Sequence, residues 1–185
     1  MATPTIRDAE EADGAACAAI YAPYVTDTAV TFELEPPSDA EVAARIRAAR
    51  EDHAWLVAED DGLVKGYAYG SRHRARPAYR WACEVSIYLA PESRGQGVGR
   101  LLHQHLVDRL TAMGYRNLLA GTALPNDASL GLHRALGFTP IGVFRAVGWK
   151  HGRWHDVQWS QRLVGTGEAP AVIHGAGDLD GRGGA

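Results

Sequence analysis

Between residues 94 and 99 the chain reads Arg94-Gly95-Gln96-Gly97-Val98-Gly99, three glycines at alternate positions. On their N-terminal side, Trp81 to Leu89 alternates as a strand does, with Val85, Ile87 and Leu89 on one face and Glu84, Ser86 and Tyr88 on the other. On their C-terminal side, Val98, Leu101, Leu102, Leu106, Leu110 and Met113 recur at helical spacing over 97–113, and Gly114 supplies a stop. A strand–glycine turn–helix unit of this kind lets the backbone turn sharply and approach a ligand closely. The helix start then offers its unpaired N–H groups to an anion, so a phosphate is the physical expectation. Two common phosphate binders fail on spacing. A Walker loop needs Gly-Lys-Ser/Thr, but Gly99 is followed by Arg100-Leu101. A dinucleotide G-x-G-x-x-G counted from Gly95 needs a glycine at the position of Arg100. What remains is R-x-x-G-x-G, from Arg94 through Gly97 and Gly99.

The flanking sequence predicts further elements. Residues 3–8 form a short strand, and the Ala-rich 10–25 a helix interrupted at Pro23. Ser38-Asp39-Ala40-Glu41 is a capping box that opens a helix ending near Glu51. Trp55–Glu59 and Leu63–Ser71 form a hairpin about Asp61-Gly62, and the polar stretch 72–80 is a loop. Tyr115–Thr122 is a strand, Asn126–Leu136 a helix closed by Gly137, and 138–147 and 157–163 are terminal strands. The order β-α-α-β-β-β-α-β-α-β-β gives an α/β (α+β) fold with a mixed sheet covered by helices, not a doubly wound parallel one. Residues 1–164 read as a single domain, and the glycine-rich 165–185 as a flexible tail.

Downstream of the turn, Asn126-Asp127-Ala128-Ser129-Leu130-Gly131-Leu132-His133-Arg134-Ala135-Leu136-Gly137-Phe138 resembles the second signature of the GCN5-related N-acetyltransferase (GNAT) superfamily, and the R-x-x-G-x-G turn resembles its first. Over most of residues 4–160 the chain is similar to one branch, the phosphinothricin and methionine sulfone or sulfoximine acetyltransferases. The similarity lies in Trp55–Glu59, Ala75-Arg76-Pro77-Ala78-Tyr79, Leu124–Asp127 and Lys150–Val157. This resemblance implies the acyl-CoA N-acyltransferase fold, a mostly antiparallel central sheet flanked by helices, with acetyl-CoA as acetyl donor. It implies that Arg94, Gly95, Gln96, Gly97, Val98, Gly99 and Arg100, together with Asn126 and Ser129, hold coenzyme A. It further implies that Ile87, Tyr88 and Leu89 lie along the donor where the sheet splays, with a backbone N–H polarising the acetyl carbonyl.

Acetyl transfer to an amine needs a neutral nitrogen, and an ammonium group needs a base to become one. Glu84 sits mid-strand among Trp81, Cys83, Val85 and Ile87, where an unpaired carboxylate is costly. It also falls where the branch carries its catalytic glutamate, so the resemblance makes Glu84 the general base. Read from the residues alone, it could also be a solvated or arginine-paired carboxylate. His133 stands where many superfamily members place a tyrosine; it could donate to the leaving sulfur or be a packed histidine. Arg72, Arg74 and Arg76 crowd one loop beside Tyr79, and guanidinium forks suit carboxylate, phosphinate and sulfonyl oxygens. By resemblance Arg74, Arg76 and Tyr79 face the substrate and Phe32 closes the pocket. The branch often carries lysine at the position of Arg74, which leaves the choice of amino acid open.

Composition narrows the rest. Lys and Arg number 19 against 22 Asp and Glu, a net charge of −3, which argues against a nucleic-acid binder. No apolar run is long enough for a membrane span, and no apolar leader precedes the first strand, so a cytoplasmic protein is expected. Cys17 and Cys83 form no C-x-x-C pair and read as buried core thiols. His151, His155 and Asp156 invite a zinc reading, but Gly152 and Trp154 argue against a ligand-bearing helix, and no metal is expected. Trp149, Trp154 and Trp159 read as core or subunit-interface aromatics, and the branch implies a homodimer. Two rivals keep the fold: an acetyltransferase for a protein N-terminus or a polyamine, and a non-catalytic acyl-CoA-binding module. A polyamine pocket should be acidic, whereas the 72–80 loop is basic.

Overall fold

A computed structural model of the protein describes residues 3–175. The strands are β1 (Thr5–Asp8), β2 (Trp55–Asp60), β3 (Leu63–Arg72), β4 (Ala82–Leu89), β5 (Asn117–Ala123), β6 (Thr139–Lys150) and β7 (Arg153–Leu163). The helices are α1 (Gly14–Asp27), α2 (Asp39–Asp52), α3 (Val98–Ala112) and α4 (Asp127–Ala135). The strands form one sheet in the order β1-β2-β3-β4-β5-β7-β6. Every neighbouring pair is antiparallel except β4 and β5. This is the mixed sheet expected from the element order, mostly antiparallel as the GNAT resemblance implies.

Strand alternation divides the core into two layers. Cys83 and Val85 of β4 join Leu102, Leu106 and Leu110 of α3, and Met113 just beyond its end, on one face. Each of those α3 side chains is fully buried, which contributes about 1.5–3 kcal/mol apiece and clamps α3 beneath β4. On the other face Tyr88 of β4, Tyr67 of β3 and Trp55 of β2 pack against Cys17, Tyr21 and Val25 of α1 and Val42 and Ile46 of α2. The predicted capping box opens α2: the Ser38 hydroxyl accepts from the Glu41 N–H, and the Glu41 carboxylate accepts from the Ser38 N–H. No described helix is long and apolar enough to cross a membrane.

Three boundaries differ from the sequence reading. Pro23 does not interrupt the first helix, which runs through it to Asp27. The bond that Pro23 cannot make would go to the carbonyl of Ala19; both residues are exposed, so water can take that carbonyl. Burial of Tyr21 and Val25 on the opposite side holds the turn together. The terminal strands are longer than predicted and meet in a two-residue turn at His151-Gly152, both with positive φ (49° and 71°). The loop 72–80 contains a 3-10 turn at Pro77–Tyr79.

Residues 165–175 carry no helix or strand but are tied to the body. The Arg116 guanidinium donates to the Gly165 carbonyl. Trp81 Nε1 donates to the Ala171 carbonyl at 2.8 Å, and the His174 N–H donates to that of Met113 at 2.9 Å. The rest of the tail expected over 165–185 lies outside the described residues.

The N-terminal edge is pinned by Arg7, which binds both oxygens of Asp13 (2.8 Å each) and Glu59 (2.7 Å). The hydrogen bond from Arg7 holds the Asp13 carboxyl below the usual carboxylate range. A lowered carboxyl pKa stabilises the fold above the unfolded value and is lost as pH falls through the folded one. Asp13→Asn is therefore expected to cost roughly 1–3 kcal/mol at neutral pH in urea denaturation. The difference from wild type should close as the pH is lowered through the acid range; a gap independent of pH would refute the assignment.

Candidate active site

The parallel pair β4–β5 is short. Its register runs Ala82↔Asn117, Cys83↔Leu118 and Glu84↔Leu119 and stops there, although β4 continues to Leu89 and β5 to Ala123. Beyond Glu84 the strands part. The Asn117 N–H donates to the Trp81 carbonyl, and the N–H and C=O of Leu89, turned away from β3, lie on the same edge, so alternate residues of β4 address β5. By that alternation the N–H and C=O of Ile87 face the gap with no strand beside them. At the far end the Tyr24 hydroxyl replaces the missing strand, donating to the Leu89 carbonyl (2.8 Å) and accepting from the Leu89 N–H (3.2 Å).

The gap holds a small cavity of about 50 Å³ walled by Val85, Ser86, Ile87 and Tyr88 on one side and Gly121, Thr122, Ala123, Asn126, Ser129 and His133 on the other. Sharing Val30, Ile87, Asn126 and Ser129 with it is a larger cavity of about 340 Å³, which reaches Leu89, Arg94, Gly95 and Leu132. Asn126 caps α4, its Oδ1 accepting from the Ser129 N–H at 3.1 Å. Of the residues predicted to hold the donor, Ile87, Tyr88, Leu89, Arg94, Gly95, Asn126 and Ser129 thus line one continuous slot. Gln96, Gly97 and Val98 line a separate cavity of about 490 Å³ on the other side of the turn, with Lys65 and Glu92. Gly99 serves packing instead: a Cβ there would come within 3.1 Å of Leu89, so glycine lets α3 approach β4. Arg100 is exposed in the first turn of α3.

The turn fits a phosphate-bearing ligand. Gly95 and Gly97 have φ of 73° and 83°, and a Cβ at either would meet nothing within 4 Å, leaving backbone bare beside open space. The first intrahelical bond of α3 is Leu101 N–H to Gly97 C=O, so the N–H groups before it are unpaired within the helix. Arg94 adds a cation stacked 4.9 Å over the Tyr24 ring.

Glu84 is the last residue of β4 paired to β5, and its side chain points to the α1/α2 face with Ser86 and Tyr88. Its Oε1 lies 2.8 Å from Nδ1 of His73. The sequence reading passed over His73 because it stood in a loop read for its arginines. Tyr24 was missed as well; its spacing of three from Tyr21, which sets both rings against Tyr88, was the available signal.

His133 lines the inner cavity, is buried, and packs against His103 and Phe138. Burial pushes its pKa down to about 4. It is therefore neutral in neutral solution and can offer a sulfur only a neutral N–H, not a proton from an imidazolium.

Arg74, Arg76 and Tyr79 are exposed on the loop after β3, and neither arginine pairs with an acid among the described residues. Tyr79 reaches the edge of His73. Phe32 is not in the wall of either slot cavity; it lies over Gly148 and near His155, and Val30 lines the slot in its stead. The loop that carries both is strapped to the β6–β7 hairpin by Lys150 Nζ donating to the Thr31 carbonyl at 2.8 Å and by His151 Nε2 beside that of Thr28. His155 Nε2 lies on the Lys150 carbonyl, and among the described residues no cluster of His, Cys, Asp or Glu could hold a metal ion.

Comparison with known proteins agrees with this geometry. The family model described as an acetyltransferase (GNAT) domain matches residues 6–159. A phosphinothricin N-acetyltransferase of Alcaligenes faecalis is 43% identical over 166 residues, covering 89% of this chain and 84% of that protein. An L-methionine sulfoximine/L-methionine sulfone acetyltransferase of Salmonella typhimurium is 35% identical, covering 90% of this chain and 98% of that protein. The crystal structure of a phosphinothricin acetyltransferase from Sinorhizobium meliloti in complex with acetyl-CoA superposes with a TM-score of 0.88 at 44% identity, over 92% of this chain and 94% of that one. The chain therefore belongs to the GNAT family, in its phosphinothricin and methionine sulfone acetyltransferase-like branch, and is an acetyl-CoA-dependent N-acetyltransferase of a small amine.

Proposed function

We propose that the protein acetylates the α-amino group of a small amino acid with a tetrahedral side-chain group, of the phosphinothricin, methionine sulfone or methionine sulfoximine type, and that Glu84 is the general base. The observation that carries this reading is the position of Glu84 at the mouth of the β4–β5 gap. A donor laid along the gap would bring its acetyl end beside the one carboxylate of β4. The exposed guanidinium groups of Arg74 and Arg76 suit an acceptor that brings a carboxylate and an oxyanion, and they disfavour a polyamine. The names of the relatives point to the same substrates.

The chemistry then divides among the residues described. Glu84 takes a proton from the acceptor ammonium, and the freed nitrogen attacks the acetyl carbonyl. The Ile87 N–H, unpaired in the gap, is the backbone donor placed to polarise that carbonyl. Arg94 and the bare turn at Gly95 and Gly97 hold the phosphates of the donor.

We also propose a homodimer built on the outer hairpin. β6 is an edge strand, and Ile141, Phe144, Val147, Trp149 and Trp154 leave half or more of their surfaces open along it and its partner β7. A long apolar edge of this kind needs a covering partner, and an isologous two-fold contact supplies one.

Three measurements test these readings. Glu84→Gln should lower kcat by roughly 10²–10⁴ with the KM for acetyl-CoA unchanged; near-normal turnover on the preferred amino acid would remove Glu84 as base. Arg94→Ala should raise the KM for acetyl-CoA about 10–100-fold, the worth of one charge-assisted hydrogen bond, and leave kcat nearly intact. A fall in kcat alone would contradict a binding role. Light scattering should give twice the chain mass for wild type and the single mass for Trp149→Glu/Trp154→Glu, whereas a wild-type monomer would refute the interface.

A further inference from the structure

Glu84 has taken an unusual partner. Four arginines, Arg72, Arg74, Arg76 and Arg80, stand in the strand end and loop that precede β4, yet among the described residues the carboxylate is paired with none of them, only with Nδ1 of His73 at 2.8 Å. Packing aims this ring. It stands edge-on to Tyr79 (centroids 5.9 Å apart, 77° between planes) and to Trp159 on β7 (6.0 Å, 69°). Trp159 is itself fixed over Gly121, where a Cβ would come within 3.3 Å of its ring. The two side chains keep 17% and 33% of their exposure, so this is a wet contact that can exchange protons with solvent and not a sealed ion pair.

The choice of imidazole matters because the reaction uses Glu84 as a base. A guanidinium at this distance would hold the carboxylate ionised at every pH and weaken it permanently as a proton acceptor. A neutral imidazole donates one N–H, which orients the carboxylate without neutralising it. Only on taking a second proton, at Nε2, does the ring become a cation that depresses the basicity of its partner.

Resting on the reading of Glu84 as general base, we propose that His73 is the positioning residue of that base and the pH gate of the enzyme. The His73 Nδ1–H holds Oε1 and leaves Oε2 for the acceptor. The acceptor ammonium gives one proton to Oε2; its lone pair forms the C–N bond as the C–S bond breaks. Of the two protons the nitrogen sheds, one ends on sulfur and the other leaves Glu84 for water. Protonation of His73 closes this route on the acid side.

The other groups facing the pair do not supply the same switch. They are Tyr69 and Ser71 on β3, Ser86 on β4, Tyr79 on the loop and Trp159 on β7, while Cys83 and Arg72 lie on the opposite, α3 face and Arg74 and Arg76 are exposed. Burial raises the Tyr69 phenol and pushes the Cys83 thiol up to about 12, out of the acid range. The imidazole of His133, in the cavity wall, is already neutral above about 4.

The test is the pH dependence of kcat/KM for the amino acid, from about pH 5 to 9, in wild type, His73→Asn, His73→Phe and Glu84→Gln. Asparagine keeps an N–H donor near the Nδ1 position but does not titrate. His73→Phe should lose about 10–100-fold in kcat with the KM for acetyl-CoA unchanged, the cost of a misplaced catalytic group. His73→Asn should recover most of that kcat and show an acid limb with one ionisation fewer than wild type. Wild-type kcat in His73→Phe, or a wild-type acid limb in His73→Asn, overturns the proposal. If Glu84→Gln is also fully active, the general-base reading has failed with it; if Glu84→Gln is inactive while His73→Phe is normal, only the role of His73 falls.

Discussion

The parting of β4 from β5 after the Glu84–Leu119 pair is the constraint on which the rest of the structure depends. A parallel pair that separates in mid-sheet leaves backbone groups without partners, and each buried unpaired group costs about 1–3 kcal/mol. The protein offsets part of this internally: the Tyr24 hydroxyl serves both groups of Leu89. It leaves the pair at Ile87 for a ligand. α3, clamped by its buried leucines, bridges the two halves of the sheet from below and sets the glycine turn at the open end of the gap. α4, capped by Asn126, forms the opposite wall. The slot, the position of the glycine turn and the position of Glu84 are therefore consequences of one break in one ladder.

Charge around the site follows the same geometry. Arg94 stands at the turn, Arg74 and Arg76 are exposed on the loop that precedes β4, and the slot itself is lined by backbone, small polar side chains and apolar ones. Glu84 keeps His73 as its partner instead of an arginine. An extended donor with an anionic end and an acceptor with an anionic end would meet at the centre, where an uncharged nitrogen is needed.

Much of this was legible in the sequence, because the elements concerned are locally encoded. The alternation of β4, the periodicity of α3, the capping box of α2 and the glycine turn all rest on residues near one another in the chain, and their boundaries fell within a residue or two. The residues carried by the GNAT resemblance along Ile87–Leu89, at Arg94 and Gly95 and at Asn126 and Ser129 come together in the slot. What was not legible depends on contacts across the sheet. Pro23 reads as a helix breaker until the exposure of Ala19 and the burial of Tyr21 and Val25 are known. His73 is an unremarkable loop residue until Trp159, 86 positions away, turns its ring towards Glu84. His133, read as a candidate acid, sits beside His103 and Phe138, where burial keeps it neutral. Phe32 falls on the hairpin at Gly148, because the strap from Lys150 to Thr31 sets the path of its loop.

Amide hydrogen exchange, with and without coenzyme A, tests the central claim directly, because it reads the free edge of β4 residue by residue. The account predicts that the ligand slows exchange at Ile87 and in the first turn of α3, where N–H groups are unpaired. It predicts no change at Ala82 to Glu84, which β3 and β5 already hold. Protection that leaves Ile87 unchanged and falls instead on the α2–β3 groove around Trp55 and Tyr69 would place the donor elsewhere and contradict it.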